Sequence, residues 1–165
     1  MDNPWPLEAD ADAFYGNPRG ANGSYSPAWA ADNLTHVACP WQLHMDAIPI
    51  PRITIHKKLA ESLTRVLGNT WDKMGKSQDA INKAGFSVFS GSFNFRCIRG
   101  SSMISMHSYG GAIDWDAPEN PMGFGALKHL FTDATPLIAE FKAEFWRWGG
   151  DYSHRVDYMH VEGCH

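Results

Sequence analysis

The stretches His107-Ser-Tyr-Gly-Gly-Ala-Ile-Asp114 and Asp157-Tyr-Met-His160-Val-Glu162 carry most of the information in this sequence. Together they offer two imidazoles, one carboxylate ligand and one spare carboxylate, in segments that are otherwise largely apolar or small. A hydrolytic zinc site needs three protein ligands, an open position for water and a nearby base. The two stretches therefore predict a metal site of this kind.

The first stretch allows its two polar ends to meet. Small residues at positions 110–112 let the backbone turn tightly between His107 and Asp114. Asp114 belongs to a short alternating segment, where a buried carboxylate is costly unless it meets a cation or a metal. An isolated histidine more often satisfies a hydrogen bond in the core, but His107 is not isolated. His107 and Asp114 are therefore predicted as metal ligands.

The second stretch supplies the third ligand, His160. Asp157 precedes it by three residues and shares its pocket if the chain turns between them. Asp157 is predicted as the general base that accepts a proton from water, the alternative being a simple turn residue. Glu162 alternates with His160 on one strand face. It is either a second candidate for the base or a residue that hydrogen-bonds a ligand imidazole without binding the metal itself.

Composition and charge narrow the class of protein. The chain has 165 residues, of which 44% are apolar and 19% charged, as expected of one globular domain with a real core. A net charge of -4 gives no electrostatic reason to expect a nucleic acid or an anionic membrane as partner. The first residues do not resemble a signal peptide, and no run of about 18 apolar residues occurs. A cytoplasmic location in the producing cell is predicted.

The pattern along the chain predicts an α+β fold. Residues 1–50 are rich in Pro, Gly, Asn and Trp and are predicted as an irregular lead-in packed on a catalytic domain of residues 51–165. Apolar spacing predicts one helix from Ile55, ending at Gly68-Asn69, and a second over 71–83. Thr135-Pro136 is a good N-cap and first-turn pair for a third helix. Short strands are predicted over 86–89, 93–99, 112–116, 146–148 and 158–161. Helices followed by short antiparallel strands indicate α+β and not repeated βαβ units.

Three segments in order resemble the signatures of a zinc peptidase family. They read Ser105-Met-His107-Ser-Tyr-Gly-Gly-Ala-Ile-Asp114, Trp148-Gly-Gly-Asp151 and Asp157-Tyr-Met-His160-Val-Glu162. The shared pattern is Ser-x-His-x6-Asp, a Trp-Gly-Gly turn, and Asp or Glu-x-x-His. Members of this family are D-alanyl-D-alanine carboxypeptidases, D,D-dipeptidases of vancomycin resistance and phage L-alanyl-D-glutamate endopeptidases. The resemblance runs from about Ile55 to the C-terminal end of the sequence.

The resemblance implies a fold, a metal and a set of roles. The fold is the small α+β fold shared with the hedgehog signalling domain, an antiparallel sheet with helices packed on it. One zinc ion is held by His107, Asp114 and His160, and Asp157 is the base. An arginine upstream of the first ligand binds the substrate or the developing oxyanion, and Arg96 is the first choice over Arg99.

Other residues near the motifs are predicted to support the ligands or to contact substrate. They are Ser105, which orients the loop or a substrate group, and Arg99, Trp148 and Glu162. Peptidoglycan stem peptides, in the wall or as muropeptides, are the substrate class that the resemblance implies. A phage or prophage lytic peptidase is predicted, reaching the wall after holin-type release or as a virion component. A bacterial carboxypeptidase is the second choice among enzymes.

A hypothesis from another class remains open. Because the hedgehog domain shows that this fold can retain zinc and act in binding, the chain is alternatively a non-catalytic, zinc-stabilised wall-binding or virion structural module. The discriminating residue is Asp157, since a pure binding module has no need of a base beside its metal.

Overall fold

The computed structural model describes residues 2–98, 100–123 and 129–165. These residues contain five α-helices and eight β-strands. The helices are α1 (Ala11–Tyr15), α2 (Pro27–Asn33), α3 (Ala60–Lys73), α4 (Gln78–Lys83) and α5 (Pro136–Ala143). The strands are β1 (Leu34–Val37), β2 (Leu43–Met45), β3 (Ile48–Ile50), β4 (Ile53–His56), β5 (Phe89–Gly91), β6 (Ala112–Trp115), β7 (Arg147–Trp148) and β8 (His160–Glu162). Short 3₁₀ turns lie at Glu8–Asp10, Ala21–Gly23, Lys57–Leu59, Met106–Tyr109 and Gly149–Asp151.

A four-stranded antiparallel sheet carries the site residues. Its strand order is β5-β6-β8-β7, so β8 lies in the interior beside β6. The register of β6 and β8 places Asp114 directly opposite His160. Side chains of opposed residues lie on the same face of a sheet and within reach of each other. With helices packed against antiparallel strands, the predicted α+β class is confirmed.

Helices α3 and α5 pack against each other and form much of the core. The buried residues of α3, among them Leu63, Val66 and Leu67, recur at the spacing of one helical face. Helix α5 begins with Pro136 directly after Thr135, as predicted. Within the described part of the chain, no helix is both long and apolar enough to cross a membrane.

Three of the four boundaries predicted for the first two helices are wrong, whereas the end of the second helix at Lys83 is confirmed. Residues 53–56 form strand β4, paired with β1, and α3 begins only at Ala60. It then continues through Gly68 to Lys73, and α4 begins at Gln78. A glycine inside a helix costs about 1 kcal/mol relative to alanine. Burial of the neighbouring Leu67 and Thr70 outweighs that cost.

The strand predicted over residues 93–99 is absent from its described part, 93–98. The backbone there bonds instead to the 3₁₀ turn that follows: Asn94 N–H donates to the His107 carbonyl at 3.1 Å, and Ser105 N–H to the Arg96 carbonyl at 3.0 Å. The pattern at 86–89 predicts a strand, but only Phe89 belongs to β5. Alternation identifies extended chain, whereas strand pairing depends on which backbone lies beside it.

The N-terminal segment, defined here as residues 2–50, is more regular than its sequence predicts. It holds two helices and three strands of three to seven residues, too short for a hydrophobic period to appear. Trp5 and Tyr15 join the core, and the Tyr15 hydroxyl donates to the carbonyl of Gly163. The division of the chain at residue 50 stays a prediction, since β1 on one side pairs with β4 on the other.

Replacing Tyr15 by Phe should lower the free energy of unfolding by about 1–2 kcal/mol, because the buried carbonyl of Gly163 loses its donor. Urea unfolding measures the change. Tyr25→Phe is the matched control, since the Tyr25 side chain is exposed and its hydroxyl has no hydrogen bond within the described ranges. Equal stability of Tyr15→Phe and wild type would show that this contact does not hold the N-terminal segment.

His56 should make stability depend on pH between about 4 and 6.5. Burial outweighs the hydrogen bond to the Tyr15 carbonyl and lowers the pKa of His56 to about 4, so the unfolded chain takes up this proton first. The free energy of unfolding should therefore be highest above pH 6.5 and fall by at most about 3 kcal/mol as the pH drops to 4. In His56→Gln, urea unfolding across this range should lack that part of the slope. An identical slope in both proteins contradicts the assignment.

Candidate metal centre

Three side chains converge between β6, β8 and the 3₁₀ turn Met106–Tyr109. His107, Asp114 and His160 each offer one ligand atom, and these atoms all lie within 4.8 Å of one another. One carboxylate oxygen of Asp114 lies 3.2 Å from Nε2 of His107, and the other lies 2.8 Å from Nδ1 of His160. The structure thus brings the three predicted ligands together.

The orientation of His107 leaves one ring nitrogen free for a metal. Ser105 precedes the 3₁₀ turn, and its hydroxyl accepts from the His107 N–H at 3.4 Å. In the ring, Nδ1–H donates to the carbonyl of Ser92 at 2.6 Å, which leaves the lone pair on Nε2. Nε2 is buried and has no hydrogen-bond partner in the described parts of the chain. A buried ring nitrogen that has a free lone pair, no hydrogen-bond donor and a carboxylate beside it is suited to bind a metal ion.

The turn after His107 requires its glycine. Gly110 has a φ of 61°, in the left-handed region, and closes the 3₁₀ turn. A Cβ at this position would lie 2.6 Å from the side chain of Leu34 and 3.0 Å from the backbone nitrogen of His56. The tight return between His107 and Asp114 expected from the small residues is therefore packed against the N-terminal segment and β4.

His160 is held between two carboxylates. Its Nδ1 lies against Asp114, and its Nε2 lies 3.2 Å from Oε2 of Glu162. Burial disfavours the imidazolium, but the hydrogen bonds to Asp114 and Glu162 outweigh it and raise the pKa of His160 to about 10. Carboxylates that hold a proton so firmly also attract a divalent cation, and two imidazoles with one carboxylate suit Zn²⁺.

Glu162 is fully engaged by its neighbours. Its Oε1 accepts from the Arg147 Nε at 2.7 Å and from the Tyr152 hydroxyl, while Oε2 faces His160. Burial opposes ionisation, but the bonds to His160 and the charge of Arg147 lower the pKa of Glu162 to about 2. A carboxylate so acidic is a poor base. Of its two predicted roles, the geometry favours holding the imidazole of His160.

This network is completed by Arg147, Tyr152 and Glu8, which no motif in the sequence predicts. Arg147 is the partner of Glu162 across β7 and β8, and its Nη2 also donates to Oε2 of Glu8 at 3.0 Å. The N-terminal segment thereby reaches the back of the site. The only sequence signal is that residues 147 and 162 both lie in or beside predicted strands, and their register is not readable from one sequence.

Asp157 lies in the turn before β8, with one carboxylate oxygen buried and unpartnered among the described residues. Its backbone N–H donates to the Gly149 carbonyl at 2.9 Å, and a Cβ at Gly149 would lie 2.4 Å from the Asp157 carbonyl oxygen. Burial and the nearby charge of Asp114 raise its pKa, although His160 opposes them. A buried acceptor with a raised pKa beside the ligands is suited to accept a proton.

Trp148 supports this turn from inside the core. Its ring is buried, and Nε1–H donates to the Tyr158 carbonyl at 2.9 Å. A Cβ at Gly150 would lie 2.3 Å from that ring, which explains the glycine at this position. Trp148 lines neither of the two cavities next to the site. Its hydrogen bond to Tyr158 instead supports the turn that carries Asp157.

Two open cavities meet at Asp114. The first, of about 630 Å³, contains Asp157 and His160. The second, of about 500 Å³, contains His107. Arg96 lines both, and its backbone is tied to the Ser108 hydroxyl by bonds of 3.0 and 2.9 Å. Of the two predicted arginines, Arg96 lies beside the site and Arg99 lies outside the described residues.

Comparison with known proteins agrees with this geometry. Residues 99–163 match the family model described as D-alanyl-D-alanine carboxypeptidase. The predicted family resemblance is confirmed. The matched stretch contains the candidate ligands His107, Asp114 and His160 together with Asp157, and the match indicates a peptidase-type hydrolase. No curated protein and no solved structure gives a significant match to the chain.

Replacing Glu162 by Gln should weaken Zn²⁺ binding about 10- to 100-fold, because an amide neither balances Arg147 nor holds the imidazole of His160 as firmly. Titration of metal-free protein against a chromophoric chelator measures this affinity, and circular dichroism checks the fold. Glu61→Gln is the control, since Glu61 is exposed on α3 and pairs with Arg65. Unchanged affinity in Glu162→Gln would contradict the supporting role.

Proposed function

We propose that the chain is a zinc-dependent peptidase that cleaves peptidoglycan stem peptides, as an L-Ala-D-Glu endopeptidase or a D-Ala-D-Ala carboxypeptidase. The observation that carries the proposal is the unpartnered Nε2 of His107 in a three-ligand cluster, beside an unpartnered buried oxygen of Asp157. Neither atom has a hydrogen-bond partner among residues 2–98, 100–123 and 129–165. The match to the carboxypeptidase family supports the substrate class.

The metal would be held by His107, Asp114 and His160. When bound, zinc would supply a Lewis acid that polarises the scissile carbonyl and makes water more acidic. Asp157 would accept the proton of the attacking water and return it to the leaving amine. The same raised pKa serves both steps, because the carboxyl group keeps the proton long enough to deliver it.

Arg96 would stabilise negative charge during cleavage. Its side chain is exposed and lines both cavities, so the guanidinium can reach the carbonyl oxygen or a nearby substrate carboxylate. Arginine stays charged at any physiological pH and presents several N–H donors in one plane. These properties suit a group that opposes charge without transferring protons.

The biological role that best fits the resemblance is lysis of a cell wall by a phage or prophage enzyme. The protein would act on peptidoglycan or its muropeptides after holin-type release or as a virion component. The alternative is a non-catalytic, zinc-stabilised wall-binding or virion structural module. Asp157 favours the enzyme, because a binding module gains nothing from a buried carboxylate oxygen that lacks a partner among the described residues.

Replacing Asp157 should reduce cleavage by the zinc-loaded protein far more than it reduces zinc binding. With purified peptidoglycan, Asp157→Ala should lower the rate of product release at least about 100-fold and retain zinc, since it removes the base and no ligand. His107→Ala should lose both zinc and activity. Mass spectrometry of the products and zinc analysis of the proteins measure these effects.

The control for this experiment is Asp72→Ala, which removes an exposed carboxylate that pairs with Lys76 on the surface. It should cleave like wild type. The masses released by wild type identify the bond. Bound zinc without cleavage of intact wall, muropeptides or D-Ala-D-Ala peptides would overturn the peptidase proposal and favour the binding module.

A further inference from the structure

We propose that the second cavity is a subsite for a carboxylate of the peptide substrate and that Arg52 is its specificity-determining residue. The inference rests on the proposed function for its substrate class. It assigns a role to a part of the chain that precedes the matched residues 99–163.

The position of the second cavity makes it a natural extension of the active site. Both cavities reach Asp114 and Arg96. The second also reaches His107, whereas the first reaches Asp157 and His160. A peptide bond placed at Asp114 would therefore have room for substrate residues in both cavities. Volumes of about 630 and 500 Å³ lie within the range of small-ligand sites.

The walls of the second cavity come mainly from residues before the matched stretch. Met45 and Ile50 belong to the β2–β3 hairpin, and Arg52 and Thr54 follow it. Further lining residues are Phe89, Ser90, Gly91, Ser92, Phe93 and Asn94. The lining therefore mixes apolar side chains with hydroxyl and amide groups that can form hydrogen bonds to a ligand.

The charge of the second cavity selects an anion. Arg52 and Arg96 both line it, and the one carboxylate present, Asp114, is already shared by two imidazoles. Across the described residues, neither arginine forms an ion pair. Both arginines are exposed, so their charges are accessible to an anion that enters the cavity they line. Guanidinium groups bind carboxylates through charge-assisted, often paired hydrogen bonds.

The backbone of Arg52 is held in place before any ligand arrives. Pro51 precedes it and fixes its own φ, while Ile53 follows as a fully buried residue of β4 paired with Val37. Little backbone freedom is then lost when the guanidinium binds, which favours affinity. A free α-carboxylate next to the scissile bond is the anion that stem peptides of either proposed cleavage type can offer.

Binding and cleavage of paired synthetic peptides test the proposal. Each pair differs by a carboxylate or a carboxamide, placed next to the scissile bond on the amine side in one pair and on the acyl side in the other. Binding is measured on zinc-loaded Asp157→Ala protein, with and without Arg52→Ala. Arg52→Ala should weaken binding of the carboxylate peptide about 10-fold and leave the carboxamide peptide unchanged, in whichever pair reaches the cavity.

In protein that retains Asp157, Arg52→Ala should raise KM for the same peptide about 10-fold with little change in kcat, because Arg52 lies apart from the reacting atoms. Zinc content should stay as in wild type. Arg52→Lys should restore part of the carboxylate preference. Lys83→Ala removes an exposed positive charge that lines neither cavity and should change nothing.

The inference is overturned if Arg52→Ala affects carboxylate and carboxamide peptides equally, or affects neither pair. Failure of the proposed function looks different. Wild type then cleaves none of these peptides, while a carboxylate preference that depends on Arg52 in the binding measurement still supports the subsite.

Discussion

The pairing of Asp114 with His160 across β6 and β8 is the contact on which the site depends. It places a carboxylate between two imidazoles, because His107 approaches Asp114 from the 3₁₀ turn on the other side. Each partner alone would be a costly buried polar group. Antiparallel pairing fixes their distance through the backbone, and the flanking strands β5 and β7 hold that backbone in the interior of a sheet.

Two further carboxylates near this pair differ in how many hydrogen bonds they form. Glu162 is bonded on every side and stays ionised, so it anchors the imidazole of His160. Asp157 is half-buried, and its buried oxygen has no hydrogen-bond partner among the described residues, so it would be available for proton transfer in the proposed reaction. Within one short segment of chain, Glu162 has all its hydrogen bonds and would support the site, whereas Asp157 lacks one and would take part in the chemistry.

Sequence alone predicts the centre of the site and not its surroundings. His107, Asp114, Asp157 and His160 lie in short motifs whose spacing is set by local turns, and the structure brings them together as that spacing predicts. The contact of Arg147 with Glu162 depends on strand register, and Glu8 and Arg52 reach the cavities from segments far away in the chain. The short elements of residues 2–50 likewise form through tertiary contacts and leave no periodic trace.

The two carboxylates around His160 have a further consequence for how a proton and a metal ion bind to its ring. A proton on this ring and a metal ion bound to it are attracted by the same two carboxylates, Asp114 and Glu162, so the two cations compete. Many small metal sites assemble only when the metal arrives, and their loading is coupled to folding. Here acidity would act on loading as well, because a metal ion that binds the imidazole of His160 has to displace a proton held by two carboxylates.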